Sequence, residues 1–189
     1  MTNRQKQIIQ VSLDLIANSG IHGLTMKNIS KNVGISEPAI YRHFNSKSDI
    51  LMSVISKVKE SSGVDLFSIE DKTLTSKELI LKAFTIRAHR FTNNPSIAAV
   101  IFSETIFEND SVLSGAIGTI MEESHKNMVK IIKRGQNNGE IVDFIKADQL
   151  ALMIIGAFRL LVTKWHMSKN SFDLEIHTES MVKAFEELI

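Results

Sequence analysis

The chain of 189 residues carries 22 lysines and arginines against 21 aspartates and glutamates, no cysteine, nine glycines and only two prolines. That length fits one large or two small domains, and the lack of cysteine excludes disulfide scaffolds, thiolate metal sites and cysteine nucleophiles together. With 43% apolar residues and so little proline and glycine, a disordered chain and a turn-rich all-β chain are excluded as well.

The net charge of +1 hides a split. Residues 1–60 hold eight basic and four acidic side chains, a local charge of +4, which leaves −3 for the remainder. Phe44 is the sole phenylalanine before residue 61, and the other nine follow it. A small basic head joined to a larger, Phe-rich body is one arrangement that suits an anionic partner such as nucleic acid.

The N-terminal stretch MTNRQKQIIQ has no apolar signal core and runs into an amphipathic pattern. Thr2 with Gln5 predicts a capping box, Ile8, Ile9, Val11, Leu13, Leu15 and Ile16 carry the helical period, and Gly20 stops it. Thr25 is placed to cap a second helix ending at Val33-Gly34. Ser36 is placed to cap a third, with Pro38 in its first turn, where the missing N–H costs nothing. Ser46 and Asp49 have capping-box spacing and open a fourth helix through about residue 61. Longer helices are predicted at 76–93, 96–108, 110–136, 147–167 and 173–188, divided by Pro95 and by Asn137-Asn138-Gly139. No alternating run is long enough for a strand, so the fold class is all-α. The most apolar stretch, Leu150–Phe158, is too short for a bilayer, which needs about 20 residues. It is expected to lie in a buried helix of a soluble, cytoplasmic protein with no membrane partner.

The segment Thr25–Lys47, TMKNISKNVGISEPAIYRHFNSK, reads as two helices of about eight residues joined by a tight turn at Gly34, a helix-turn-helix. Ile29, Val33, Ile35 and Ile40 are spaced to bury between the helices. Ser36, Glu37, Ala39, Tyr41, Arg42 and His43 are left outward on the second, a face that suits the major groove of DNA. These residues resemble the TetR/AcrR family of bacterial transcriptional regulators. The likeness lies in the first helix ending at Gly20, in Leu24-Thr25, in Val33-Gly34-Ile35-Ser36, and in Ile40-Tyr41-Arg42-His43-Phe44 followed by Lys47. About 50 residues carry it; Ser30 stands where the family usually has alanine.

The resemblance implies phosphate contacts by Thr25, Tyr41, His43 and Lys47. Lys47 also lies near a helix N-terminus, where the dipole attracts an anion. Base reading is assigned to Arg42, which can bond guanine O6 and N7, assisted by Ala39 and Glu37, with Lys27 at the groove edge. The expected division is a DNA-binding domain at 1–62 and an effector-binding and dimerisation domain at 63–189. In the family the last two helices form a four-helix dimer bundle, and the apolar helix 147–165 and last helix here fit that pattern. Met153, Gly156, Ala157, Leu160, Met181, Phe185 and Leu188 are the expected dimer contacts, and helix 147–165 is expected to be covered on every side.

The middle helices are expected to hold a small hydrophobic effector among Phe84, Arg87, Phe91, Ile101, Glu104, Met121, Met128 and Phe158. Charges on apolar faces are expensive unless paired, so Arg87 or Arg90 is expected to pair with Glu104. Arg87 is open to two readings, an anchor for an acidic effector or a structural or snorkelling side chain. Catalysis finds no motif: there is no HExxH, glycine-rich phosphate loop, GxSxG elbow or close carboxylate pair, and no metal or cofactor is expected. Glu122-Glu123-Ser124-His125 reads as a solvated turn. The function expected is a homodimeric repressor that leaves a palindromic double-stranded DNA operator when an apolar molecule binds. The alternative is a nucleoid-occlusion-type DNA-binding inhibitor of cell division, because Asn94-Pro95-Ser96-Ile97 and Phe107-Glu108 distantly resemble that branch of the family.

Overall fold

A helix begins most readily where a side chain can satisfy the backbone N–H groups that its first turn leaves free. The computed structural model, which describes residues 1–62, 73–102 and 111–188, shows several such starts. Among these residues there are nine α-helices and no strand. They are α1 (Asn3–Ser19), α2 (Met26–Val33), α3 (Glu37–Tyr41), α4 (Lys47–Ser62), α5 (Ser76–Asn93), α6 (Pro95–Phe102), α7 (Ser111–Asn137), α8 (Ala147–Met167) and α9 (Leu174–Leu188). Thr2 and Gln5 form the capping box of α1, with both reciprocal bonds present. Thr25 Oγ1 accepts from Asn28 N at 3.1 Å at the head of α2. Thr75 and Glu78 make a second full capping box on α5.

Two starts differ from expectation. Ser36 has the extended backbone of a cap, but its side chain makes no capping bond. The helix it precedes is five residues long rather than about eight: Arg42 takes its C-cap position, and His43 N donates to the carbonyl of Ile40 in a tighter three-residue turn. At α4, Asp49 N donates to Ser46 Oγ at 3.1 Å, while the Asp49 carboxylate accepts from Asn45 N rather than from Ser46 N. The expected helix 96–108 is described only as far as Phe102.

The helices pack as two compact units, Met1–Lys59 with Ser96–Gly118, and Glu60–Pro95 with Thr119–Ile189. In the first, Ile8, Leu13 and Ile16 of α1, Leu24, Ile29, Ile40, Ile50 and Val54 are fully buried or nearly so. Ile97, Val100 and Ile101 of α6 are also buried within this unit. Ser96 Oγ donates to Asp14 at 2.6 Å and ties α6 to α1. In the second unit α9 packs on α5 and α8. Phe84 and Phe91 of α5 meet Phe158 of α8, with ring centroids 4.8 and 6.1 Å apart. Helix α8 is long and apolar enough to cross a membrane by length and composition, yet its Leu150, Ile154, Phe158, Val162 and Trp165 are buried against the other helices. One face, with Met153 and Leu160, is exposed in the single chain.

A polar joint closes the end of α7 onto the start of α5. Gly135 lies so close to Ser76 and Ile141 that a Cβ there would stand 2.9 Å from Ser76 Cβ. Arg134 donates to Ser76 Oγ and to the carbonyl of Leu74. The Glu140 carboxylate accepts from Ser76 N, at the N-terminus of α5 where helix dipole and carboxylate attract. That amide bond, above all, holds the Glu140 carboxyl below its ordinary value of 4.5.

Two outcomes follow from these observations. A carboxyl whose pKa is lower folded than unfolded stabilises the fold above its unfolded pKa, and that contribution disappears as pH falls through the folded value. Glu140→Gln should therefore reduce the loss of stability seen below about pH 4.5, measured as melting temperature against pH; an unaltered acid limb would contradict this. Gly34 links α2 and α3 with φ 76° and ψ 33°, and a Cβ there would meet nothing within 4 Å. The cost of Gly34→Ala should accordingly be purely that of left-handed backbone, about 1–2 kcal/mol, with Gly34→Asn losing less in the same denaturation assay.

Candidate nucleic-acid interface

The turn at Gly34 and the burial of Ile29, Val33 and Ile40 fix how α3 is presented. Ile40 is fully buried, so the other residues of this short helix are turned away from the core. Ser36, Glu37, Tyr41 and Arg42 are exposed and Ala39 is half-buried. Tyr41 keeps 50% of its surface, an unusual degree for an aromatic ring that could have packed inside. The helix ends there, and Arg42 takes the C-cap position.

The expected phosphate contacts are all at the surface or half-buried. Thr25 is exposed; its oxygen is occupied by the Asn28 amide, which leaves its O–H able to donate to an outside oxygen. Lys27 is exposed in the first turn of α2, and Lys47 is exposed as the first residue of α4. His43 is half-buried in the turn between α3 and α4. Together these groups form a cationic and hydroxyl-bearing rim around α3, and no acidic residue of the segment except Glu37 is fully exposed on it. Asp49, the nearest other acid in sequence, is half-buried and accepts from Asn45 N.

Sequence reasoning identified Gln5 only as a capping residue. Its amide does two jobs, because Oε1 accepts from Thr2 N and Nε2 donates to the carbonyl of His43 at 3.2 Å. The start of α1 therefore braces the turn that carries His43. Nothing in the local spacing points to this bond, which spans 38 residues. Asn28 was missed too: its Nδ2 donates to the carbonyl of Gly23 at 2.9 Å and secures the entry to α2.

In the second unit the expected effector residues are only partly together. Phe84, Phe91, Phe158 and Met128 are fully buried, and Arg87 is nearly so. Ile101 is buried in the other unit, Met121 is at the solvent edge, and Glu104 lies outside the described residues, as do Phe107 and Glu108. Arg87 donates to the carbonyl of Ser62 and the hydroxyl of Ser124, and Arg90 to the carbonyl of Glu60; their expected pairing with Glu104 falls outside the described residues. Ser124, expected in a solvated turn, is buried. Its neighbours Glu122, Glu123, His125 and Lys126 border a shallow open depression with Asp148. Among the described residues no group of three or more His, Asp or Glu side chains could hold a metal ion. Of the expected dimer residues, Met153, Gly156, Leu160 and Leu188 are exposed, while Ala157, Met181 and Phe185 are half-buried. Leu152, Met167 and Ile176, not anticipated, are exposed apolar residues on the same two helices.

Known proteins extend the comparison over both units. Residues 8–54 match the family model described as bacterial regulatory proteins, tetR family, and residues 77–189 match one described as tetracyclin repressor-like, C-terminal domain. A fatty acid metabolism regulator protein of Bacillus subtilis (strain 168) is 26% identical over 180 residues, covering 94% of this chain and 91% of the relative. The nucleoid occlusion factor SlmA of Aliivibrio fischeri is 30% identical over 164 residues, 82% of each chain. Among solved structures, FadR from Bacillus subtilis in complex with stearoyl-CoA superposes with a TM-score of 0.74 at 26% identity, covering 94% of this chain and 95% of that one. FadR from Bacillus halodurans shares the fold, with a TM-score of 0.81 at 19% identity over 98% and 96% of the two chains. The matched models together span the helix-turn-helix and the whole of the C-terminal helices, and the chain belongs to the tetR family of bacterial regulatory proteins, as a DNA-binding transcription regulator.

Proposed function

We propose that this chain is a homodimeric repressor that binds a palindromic operator and is released from it by a long-chain acyl thioester or a similar anionic amphiphile. The observation that carries the reading is the exposed rim of Tyr41, Arg42 and Lys47 on a helix pair whose opposite faces are buried. In this reading α3 enters the major groove, Thr25, Tyr41, His43 and Lys47 hold phosphates, and Arg42 reads a base with Ala39 and Glu37 beside it. Ser36 and Lys27 flank the groove. Residues 1–62 carry DNA binding and residues 63–189 carry effector binding and pairing, a division of labour distinct from the packing units.

One recognition helix reads a short half-site weakly, so a symmetric pair is the economical solution. Met153, Gly156 and Leu160 on α8 recur at the spacing of one helix face. With Met167 on α8 and Leu188 on α9 they supply an exposed apolar surface for a second copy. The acyl class of effector is supported by the likeness, over nearly the whole chain, to a regulator of fatty acid metabolism and to a FadR solved with stearoyl-CoA. Its chain would lie among Phe84, Phe91, Met128 and Phe158, which requires the rings to move apart. Such a regulator works in the cytoplasm. A second reading, DNA-bound nucleoid occlusion, is favoured by the 30% identity to SlmA.

Fluorescence anisotropy on a fragment from the chain's own promoter tests the first reading. Lys47→Ala should weaken binding to all sequences alike and lower the salt slope by about 1. Arg42→Ala should instead relax preference at one half-site position, by about 1–3 kcal/mol; binding that is indifferent to both changes would remove this face from the interface. Leu160→Glu should yield monomers in sedimentation. Chromosome-wide occupancy separates the two readings, with a few promoter peaks for repression and many scattered sites for occlusion.

A further inference from the structure

Helices α1 and α5 open with the same reciprocal cap but with different residues. In α5 Thr75 pairs with Glu78, whose carboxylate accepts from Thr75 N at 2.7 Å and from the Thr75 hydroxyl at 2.9 Å. In α1 Thr2 pairs with Gln5, whose Oε1 accepts from Thr2 N at 2.9 Å. Both residue types fit a capping box, yet a carboxylate gains more at a helix start, because its charge meets the positive end of the dipole. The first turn of α1 nevertheless contains no acid.

The other half of the amide accounts for the choice. Thr2 N can only donate and the His43 carbonyl can only accept, so the Gln5 amide is held in one orientation, with Nε2 donating to His43 at 3.2 Å. A carboxylate in the same place has no hydrogen to give and would set two acceptors face to face. Glutamine therefore closes the cap and holds the distant turn at once, which glutamate cannot do.

That turn joins the end of α3 at Tyr41 to the start of α4 at Lys47. Ile40 and Phe44 on either side of His43 are buried, while His43 itself is only half-buried. Its position sets where Tyr41, His43 and Lys47 stand relative to one another. We propose that Gln5 is a positioning residue of the DNA interface: it ties the first turn of α1 to His43 and so keeps the α3–α4 turn in the geometry that meets phosphates. The folded start of α1 is thereby a working part of that interface. This rests on the reading of Tyr41, His43 and Lys47 as phosphate contacts.

The test measures binding of the full-length chain to a fragment of its own promoter and to an unrelated duplex of equal length, over a range of salt. The variants are Gln5→Met, Gln5→Glu and Thr2→Val, each checked for folding by circular dichroism and melting temperature. Thr2→Val breaks the cap alone, Gln5→Met breaks cap and brace together, and Gln5→Glu keeps the cap and breaks the brace. Gln5→Met should bind about two- to tenfold more weakly, the worth of one hydrogen bond. The loss should be the same on both duplexes, since phosphate contacts carry no sequence information, and the salt slope should fall by about 1. Thr2→Val should stay close to the wild type. Gln5→Glu should lose at least as much as Gln5→Met, and more than Asn3→Glu, which adds the same charge to the same turn without touching His43. Equal losses in Thr2→Val and Gln5→Met would make Gln5 a capping residue only, and a lower melting temperature with unchanged affinity and salt slope would make it a structural one; either overturns the proposal. Lys47→Ala, measured alongside, judges the rim itself. If it binds both duplexes as the wild type does, the reading of this face fails and the proposal with it. If it weakens binding while Gln5→Met does not, the face stands and the positioning role alone is overturned.

Discussion

Every helix leaves N–H groups at one end and carbonyls at the other without partners, and an unmet group of this kind is expensive wherever water is excluded. Much of the character of this regulator follows from how those ends are met. At the N-termini the partners are close in sequence: Thr2 with Gln5, Thr25 with the Asn28 amide, Ser46 with the Asp49 amide, and Thr75 with Glu78. At the junctions they are distant. Glu140 meets the start of α5 from 64 residues away, and Arg87 meets the carbonyl of Ser62 from 25 residues away. Local caps decide where helices begin, whereas distant ones decide how they are joined.

That division explains what could be read from the amino-acid order. The helix starts at Thr2 and Thr25, the left-handed turn at Gly34 and the all-α class are local consequences of residue type and period, and each is present. The exposure of Tyr41, Arg42 and Lys47 was legible too, because Ile29, Val33 and Ile40 take the inward positions. The brevity of α3 was not, since it ends in a tighter turn in which His43 N donates to the carbonyl of Ile40. Nor were the bonds of Arg87 to Ser62 and Ser124, since a guanidinium can reach carbonyls and hydroxyls far away in sequence. Ser124 looked solvated between two glutamates and a histidine, yet its register on α7 turns it inward.

Charge and packing also divide the work. The +4 of the first 60 residues is a modest attraction that salt would readily screen. What gives it direction is the buried isoleucine framework beneath the rim, together with the Gln5 bond that braces the turn at His43. The second unit needs no such field. Its aromatic cluster and the buried bonds of Arg87 are matters of packing, where sub-ångström shifts are felt because densely packed side chains have few intermediate arrangements.

The bare face of α8 has a consequence for the protein's economy in the cell. Leu160 keeps 62% of its surface and Met167 77%, and covering a side chain of that size is worth up to roughly 1.5–3 kcal/mol. If a second copy covers this surface, as proposed above, folding becomes a property of abundance, and at low copy number the chain would be both less stable and more exposed to proteolysis. A regulator with such a face would lose standing copies fastest when it is scarcest, so its synthesis rate would help set how sharply its genes respond.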